Sequence, residues 1–382
     1  MNPTNNINAR IFIFFLFITT SILPFHINAQ DFAKKTKWGG RLMIDAVHYK
    51  YGDIKQSGLE IRRARFFSKG HVAENLSYKL QIDFAGGKPA FKDAYIRCNQ
   101  VPYIGGTLTF GNQTDPLSLE QNTSSKYITF MERALPSALF HKRSAGIGYS
   151  NQRLLYGKLG FQATFLYSLG STIKAIDLSP YARIGTVKLS AIPFKTKDHV
   201  FYAGLGYSTR TIDNSIGFKI HPESHLTPTV ISTTLEKVSK YDLFNIDFAW
   251  VIHALSVQGE YLSGKYKNET GTFNGSSWYA MVSYFLTGER RNFKNGASGF
   301  SRIHPKHNFE PAKGHWGAWE FALRYSNMDL SSINAAANIN DLSAGINLYL
   351  NPYARMMYNF ILDMDGTDND RSIHQMRFQL DF

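Results

Sequence analysis

The chain has 382 residues, 14% of them aromatic (29 Phe and 21 Tyr), 19% charged, and a formal net charge of +13. Beyond the N-terminus no segment approaches the run of about 18 apolar residues that marks a membrane helix, which excludes a helical membrane protein. One cysteine, Cys98, excludes an internal disulfide and a cysteine-based metal site, and the 12 histidines show no spacing of the His-Glu-x-x-His kind, so no metal or cofactor is expected.

In chain order, Arg10 precedes the uncharged run 11–23, and Ile27-Asn28-Ala29 ends in a small residue before Gln30. The apolar core is shorter than the roughly 20 residues a spanning helix needs. Residues 1–29 are therefore predicted to be a secretory signal peptide, and 30–382 the mature domain.

From there apolar and polar residues alternate in one segment after another. A period of two sorts them onto opposite faces of strands. Strands are predicted near 38–48, 59–70, 78–84, 91–99, 104–113, 144–151, 158–165, 181–191, 199–209, 242–251, 254–264, 276–286, 319–326, 342–350, 354–362 and 374–382. Most are about ten residues long, the length that crosses a bilayer at a tilt of about 45°. The short run 216–220 is assigned to a loop. Three long connections, 114–143, 210–241 and 287–316, are rich in Pro, Gly, Asn, Ser and His and are expected outside the cell or folded inward. Asn351-Pro352 joins two clean strands and reads as a short periplasmic turn.

The last strand is the clearest. His374, Met376, Phe378, Leu380 and Phe382 share one face, and Gln375, Arg377, Gln379 and Asp381 share the other. An apolar face toward lipid and a polar face toward a wet lumen define an all-β, transmembrane antiparallel barrel of about 16 strands. No plug-sized segment, coiled coil or second domain is visible.

Removing residues 1–29 removes Arg10 alone among Lys, Arg, Asp and Glu and leaves a net charge of +12. In a soluble protein that excess points to nucleic acid. In a barrel it points to a small anion, because a low-dielectric channel lined by one sign of charge focuses its field. Lipopolysaccharide outside competes for the same charge, and no nucleic acid partner is expected.

Several pieces then match in order along the chain: Arg62-Arg63-Ala64-Arg65 with Gly70; Lys92-Asp93-Ala94-Tyr95; Leu108-Thr109-Phe110-Gly111-Asn112 leading to Asp115-Pro116-Leu117-Ser118-Leu119-Glu120; and Phe130-Met131-Glu132-Arg133-Ala134-Leu135. Pro222-Glu223-Ser224, Gln258-Gly259-Glu260-Tyr261, Thr287-Gly288-Glu289-Arg290-Arg291 and Gly317-Ala318-Trp319-Glu320 follow. With these the chain resembles the phosphate-selective porin O and P family. The resemblance implies a sixteen-stranded barrel, usually a homotrimer, with anion preference and in some members a phosphate site. It also implies that 114–143 is an inward-folded constriction loop. The arginine ladder and lysine cluster associated with phosphate selectivity are not matched residue by residue.

If the apolar faces meet lipid, Arg63, Arg65, Lys79, Lys158, Arg324, Arg355 and Arg377 point inward. Rings of Arg and Lys attract anions, and Arg suits bidentate phosphate or carboxylate contacts. The other reading pairs them with inward acids such as Asp83, Asp93, Glu260, Glu320 and Asp381 as wall ion pairs. On the constriction loop, Glu132 and Arg133 diverge because they are adjacent, so Glu132 anchors the loop while Arg133 faces the ion path, or both anchor it. Lys126 on the same loop steers incoming anions. Lys294, Arg302, His304, Lys306 and His307 form either an external anion funnel or a solvated loop.

No serine has a partner histidine by spacing, and Gly296-Ala297-Ser298-Gly299 is not a nucleophile elbow. No enzyme is expected. The reading is an outer-membrane diffusion channel preferring anions, with phosphate or polyphosphate as candidates. The alternative is a non-conducting barrel acting as an adhesion or scaffold protein through its outer loops.

Overall fold

The computed structural model describes residues 36–140, 142–167, 183–294, 299–365 and 371–382. The expected signal peptide and the segment Gly296-Ala297-Ser298 lie outside the described residues.

Sixteen antiparallel strands close into one barrel. They are β1 Thr36–Tyr51, β2 Ile54–Ala73, β3 Leu76–Asp83, β4 Ala90–Asn99, β5 Thr107–Thr114, β6 Arg143–Arg153, β7 Leu159–Tyr167 and β8 Arg183–Lys195. Then come β9 His199–Ile220, β10 Ile231–Ile252, β11 Leu255–Lys267, β12 Thr272–Phe285, β13 Ala318–Asp329, β14 Asn338–Tyr349, β15 Ala354–Asp363 and β16 Arg371–Asp381. Every strand pairs with its sequence neighbours, and β16 closes on β1 with Arg41 opposite Asp381 and Asp45 opposite Arg377. Closure leaves no unpaired edge to face lipid. At the seam the Gly40 amide donates to the Phe382 carbonyl at 2.8 Å. A Cβ on Gly40 would sit 2.5 Å from the Phe382 ring, so glycine allows that close approach.

Alternation sorts the faces as expected. In β16, Gln375, Arg377, Gln379 and Asp381 are buried on the inside, while Met376, Phe378 and Leu380 are exposed on the outside. Trp38, Phe66, Phe194, Trp250 and Tyr284 gather outside near the end that carries β1's start and β16's end, as an interfacial aromatic belt does. At that end the connections are short, as periplasmic turns are, with one exception.

One long connection differs from expectation, and a second does so in part. The segment 210–241 is not a loop: β9 and β10 run 22 residues each, residues 216–220 belong to β9, and only 221–230 connects them. Register shifts between Leu235 and Val238 and between Val238 and Lys240 break the alternation, so only the short run 216–220 was visible as a pattern. The connection 286–317 leaves the end of β12, so it belongs to the periplasmic end and not to the outside. Part of it folds into the lumen, carrying Phe293 and Phe300 onto Leu119, Tyr202, Val200 and Val251.

The hydrophobic core therefore sits inside the barrel. Leu117, Leu135, Leu139 and Phe140 of the inward loop 115–142 meet Phe218, Ile220, Ile231, Leu243, Leu262 and Ile339 of the wall. This packing fills the lumen beside β9–β14 and leaves the side lined by β1–β7 open.

Candidate functional site

Loop 115–142 starts at the end of β5 and descends into the barrel. Its first turn, Leu119–Asn122, is capped by Ser118, whose hydroxyl accepts from the Gln121 amide and donates to Glu260 Oε2 at 2.6 Å. Two wall carboxylates take the free amides of that turn, Asp247 from Leu119 at 3.0 Å and Glu260 from Glu120 at 2.6 Å. Acidic groups are favoured there because a helical turn leaves its first N–H groups unpaired. At the far end of the turn Arg133 donates to the carbonyls of Glu120 at 3.0 Å and Thr123 at 2.9 Å. Asp115 accepts from Arg210 at 3.0 Å.

Glu132 meets the opposite wall. Arg62 donates to its two oxygens at 2.9 and 3.0 Å, Arg63 approaches at 3.3 Å, and Arg377 donates at 2.8 Å. Arg62 and Arg63 are consecutive, yet both reach inward. The β1–β2 register shifts between Met43 and Ile44, a bulge that leaves Arg62 without an opposite residue. Burial by itself would raise the Glu132 carboxyl, but Arg63, Arg62 and Arg377 outweigh it and hold it well below the usual range. Glu120, which is more enclosed, is raised by burial, with Arg324 and Arg133 compensating only in part.

Between this loop and the wall of β1–β7 lies a cavity of about 1020 Å³. Its lining includes twelve basic side chains: Arg41, Arg62, Arg63, Arg65, Lys79, Lys88, Lys92, Arg97, Arg133, Lys142, Arg143 and Lys294. The acids on the same surface are Asp93 and Glu132. Asp93 is shared between Lys79 and Arg143, the latter at 2.8 Å. Asp83, behind Arg65, accepts from it at 2.7 Å. Arg41 donates to Ser125 of the loop at 2.6 Å. Lys294 enters from the periplasmic-end connection. Its ammonium is lowered by burial first and then by Lys79, Lys69 and Lys126 nearby.

Of the residues selected from the sequence, Arg63, Arg65, Lys79, Glu132 and Arg133 line this cavity. The others do not. Lys126 pairs with Asp381 at 2.9 Å. Lys158 is exposed in the turn before β7 and lies off the lumen wall. Arg324 is buried against Glu223 and Glu120, Arg355 against Gln379 and the Ile128 carbonyl, and Arg377 against Asp45 and Glu132. Parity identified the inner face for most of them, but not the side of the lumen that packing fills. The external funnel is also corrected. Arg302 turns to Asp381, Lys306 to the Thr287 carbonyl at 2.8 Å, and His307 stacks on His315 at 4.2 Å, all on the periplasmic-end connection.

Several lining residues had escaped the sequence reading. Arg41 and Arg97 carried a usable signal, since each alternates with outward apolar neighbours. Arg62 had none, because a bulge breaks the alternation. Lys88, Lys142 and Arg143 sit at loop junctions, where parity is undefined.

A closed sixteen-strand barrel with a lipid-facing apolar exterior and a lumen narrowed by an inward loop defines an outer-membrane porin. The chain belongs to the family described as phosphate-selective porin O and P, which matches residues 37–382. It is 24% identical to Porin O of Pseudomonas aeruginosa over 372 residues, covering 85% of this chain and 82% of that one. In fold it is similar to an anion-selective porin from Comamonas acidovorans, at a TM-score of 0.59 and 12% identity, covering 91% of this chain and 99% of the other. It is likewise similar to the trimer form of OmpT, an outer membrane protein of Vibrio cholerae, at a TM-score of 0.53 and 11% identity over 91% and 99% of the two chains. Family and fold place the chain in the bacterial outer membrane.

Proposed function

We propose that the chain is a passive channel through which anions diffuse, without catalysis, along the cavity beside β1–β7. One observation carries this reading: twelve basic side chains against two acids on a single open surface. Guanidinium groups keep their charge at any working pH, and a lumen lined by positive charge raises the local anion concentration. In this reading Glu132 anchors the constriction loop, while Arg63, Arg65, Lys79 and Arg133 border the path. Lys158, Arg324, Arg355 and Arg377 belong to the wall and rim, and Lys126 ties the constriction loop to Asp381.

Phosphate and polyphosphate are the favoured anions, since the cavity lining gathers guanidinium and ammonium groups on one surface. A homotrimer is the proposed assembly, by analogy with the trimer form of OmpT. Lipid and lipopolysaccharide contact the outer face. Residues 1–29 serve as the export signal and 30–382 as the porin domain.

The test is the zero-current potential of the purified protein in a planar bilayer across a KCl gradient, followed by added phosphate. Anion-selective reversal with phosphate block supports a phosphate channel. Anion selectivity without block leaves a general anion porin. Absence of stepwise conductance overturns the channel and favours the scaffold reading.

A further inference from the structure

The outer half of the β9–β10 hairpin leans across the barrel mouth. The β9–β10 pairing shifts register between Leu235 and Val238 and again between Val238 and Lys240, and Lys237 has φ +52°, so the hairpin bends there. Its inward apolar residues, Phe218, Ile220, Ile231 and Leu235, join the lumen core. The tip reaches β2, about half the circumference away. There His225 Nδ1 lies 2.9 Å from Glu60.

Glu223 sits in this tip with φ +36°. A residue with a Cβ holds that left-handed backbone only where its surroundings fix it. Its side chain is fully enclosed. It accepts from Arg324 through Nε at 3.1 Å and through Nη2, from Ser326 Oγ at 2.5 Å and from Ser343 Oγ at 2.7 Å. All of these donors belong to the paired strands β13 and β14, which hold them in register with or without the tip. The loop supplies only the acceptor. A forked guanidinium and two hydroxyls converging on one point match a carboxylate. Glu120, 3.7 Å from Arg324, disfavours a second negative charge there.

We propose that Arg324, Ser326 and Ser343 form a carboxylate-binding site that Glu223 occupies as a built-in ligand, and that dissolved monocarboxylates compete for it and release the tip from the outer mouth. The site is separate from the open cavity, whose lining contains none of the three. A tethered ligand has an effective concentration in the millimolar range or above, so competition requires a free anion in comparable excess.

The experiment uses the full chain with Cys98→Ala, spin-labelled at Thr229→Cys on the tip and Lys55→Cys on the far wall. Acetate is titrated against chloride at constant ionic strength, and the label-to-label distance is read. The expected result is a saturable lengthening with acetate and none with chloride. In Glu223→Ala the longer distance appears without acetate, and acetate binds the vacated site. Adding Ser326→Ala and Ser343→Ala to that variant weakens acetate binding about tenfold per hydroxyl. A tip that stays in place in Glu223→Ala overturns the proposal. So does acetate that acts no differently from chloride on the parent chain, a result that needs no folded Glu223 variant.

Discussion

Replacing Glu132 with Gln removes one charge and keeps the shape. Three guanidinium groups share that carboxylate, from Arg62 at 2.9 Å, Arg63 at 3.3 Å and Arg377 at 2.8 Å. Each contact contributes a gross attraction of about 5–6 kcal/mol at an effective dielectric of about 20. Desolvation and repulsion among the three arginines return most of it. Arg377 keeps Asp45 at 2.6 Å, whereas Arg62 is left with Glu60 at 4.0 Å and Arg63 with the Met43 sulfur. Breaking such a group by deleting one partner costs about 3–5 kcal/mol. The loop remains tied at Asp247, Glu260 and Asp381, so its middle loosens first. Semi-native electrophoresis over a temperature series reads the stability, and single-channel recording reads the loop. We expect a lower unfolding temperature, noisier open current, and stronger anion selectivity because the cavity has lost one of its two acids. A stability change below about 1 kcal/mol with unchanged conductance would refute the anchoring argument, since that is the range of an exposed pair.

Charge reversal at Arg133 shifts the reversal potential toward cations, and the same change at Lys126, which sits outside the cavity, shifts it much less; equal shifts would count against the assigned path. The lowered Lys294 ammonium gives a pH prediction. A base with a depressed pKa loses its charge before the ordinary lysine range near about 10.4 is reached, so anion selectivity starts to decline below that range as pH rises. Lys294→Arg keeps its charge and removes its share of this early decline, leaving the share of Lys142, which burial also lowers; an unchanged pH profile in that variant would place the titration elsewhere. Gly299 has φ +77°, and a Cβ there would lie 2.2 Å from Thr123 Oγ1. Gly299→Ala therefore separates the periplasmic-end connection from the constriction loop, costing about 1–3 kcal/mol, visible as a lower unfolding temperature and altered conductance.

What the sequence determined by itself was the wall. Side chains in a strand alternate whatever lies beyond it, so the faces of β16, the sixteen crossings and the inward direction of Arg63, Arg65, Lys79, Arg324, Arg355 and Arg377 could be read from local order. Tertiary structure decided how the interior is divided. Arg324, Arg355 and Arg377 have the same parity as Arg65 and Lys79, yet they lie buried under loops while those two line the open cavity. That difference depends on contacts between segments far apart in the chain, such as Glu132 with Arg377 and Glu223 with Arg324. The bulge at Arg62, the extended β9–β10 hairpin and the periplasmic-end connection that enters the lumen are of the same kind. Each is fixed by packing within a closed barrel, and a pattern of period two contains no record of which loop will lean on which wall.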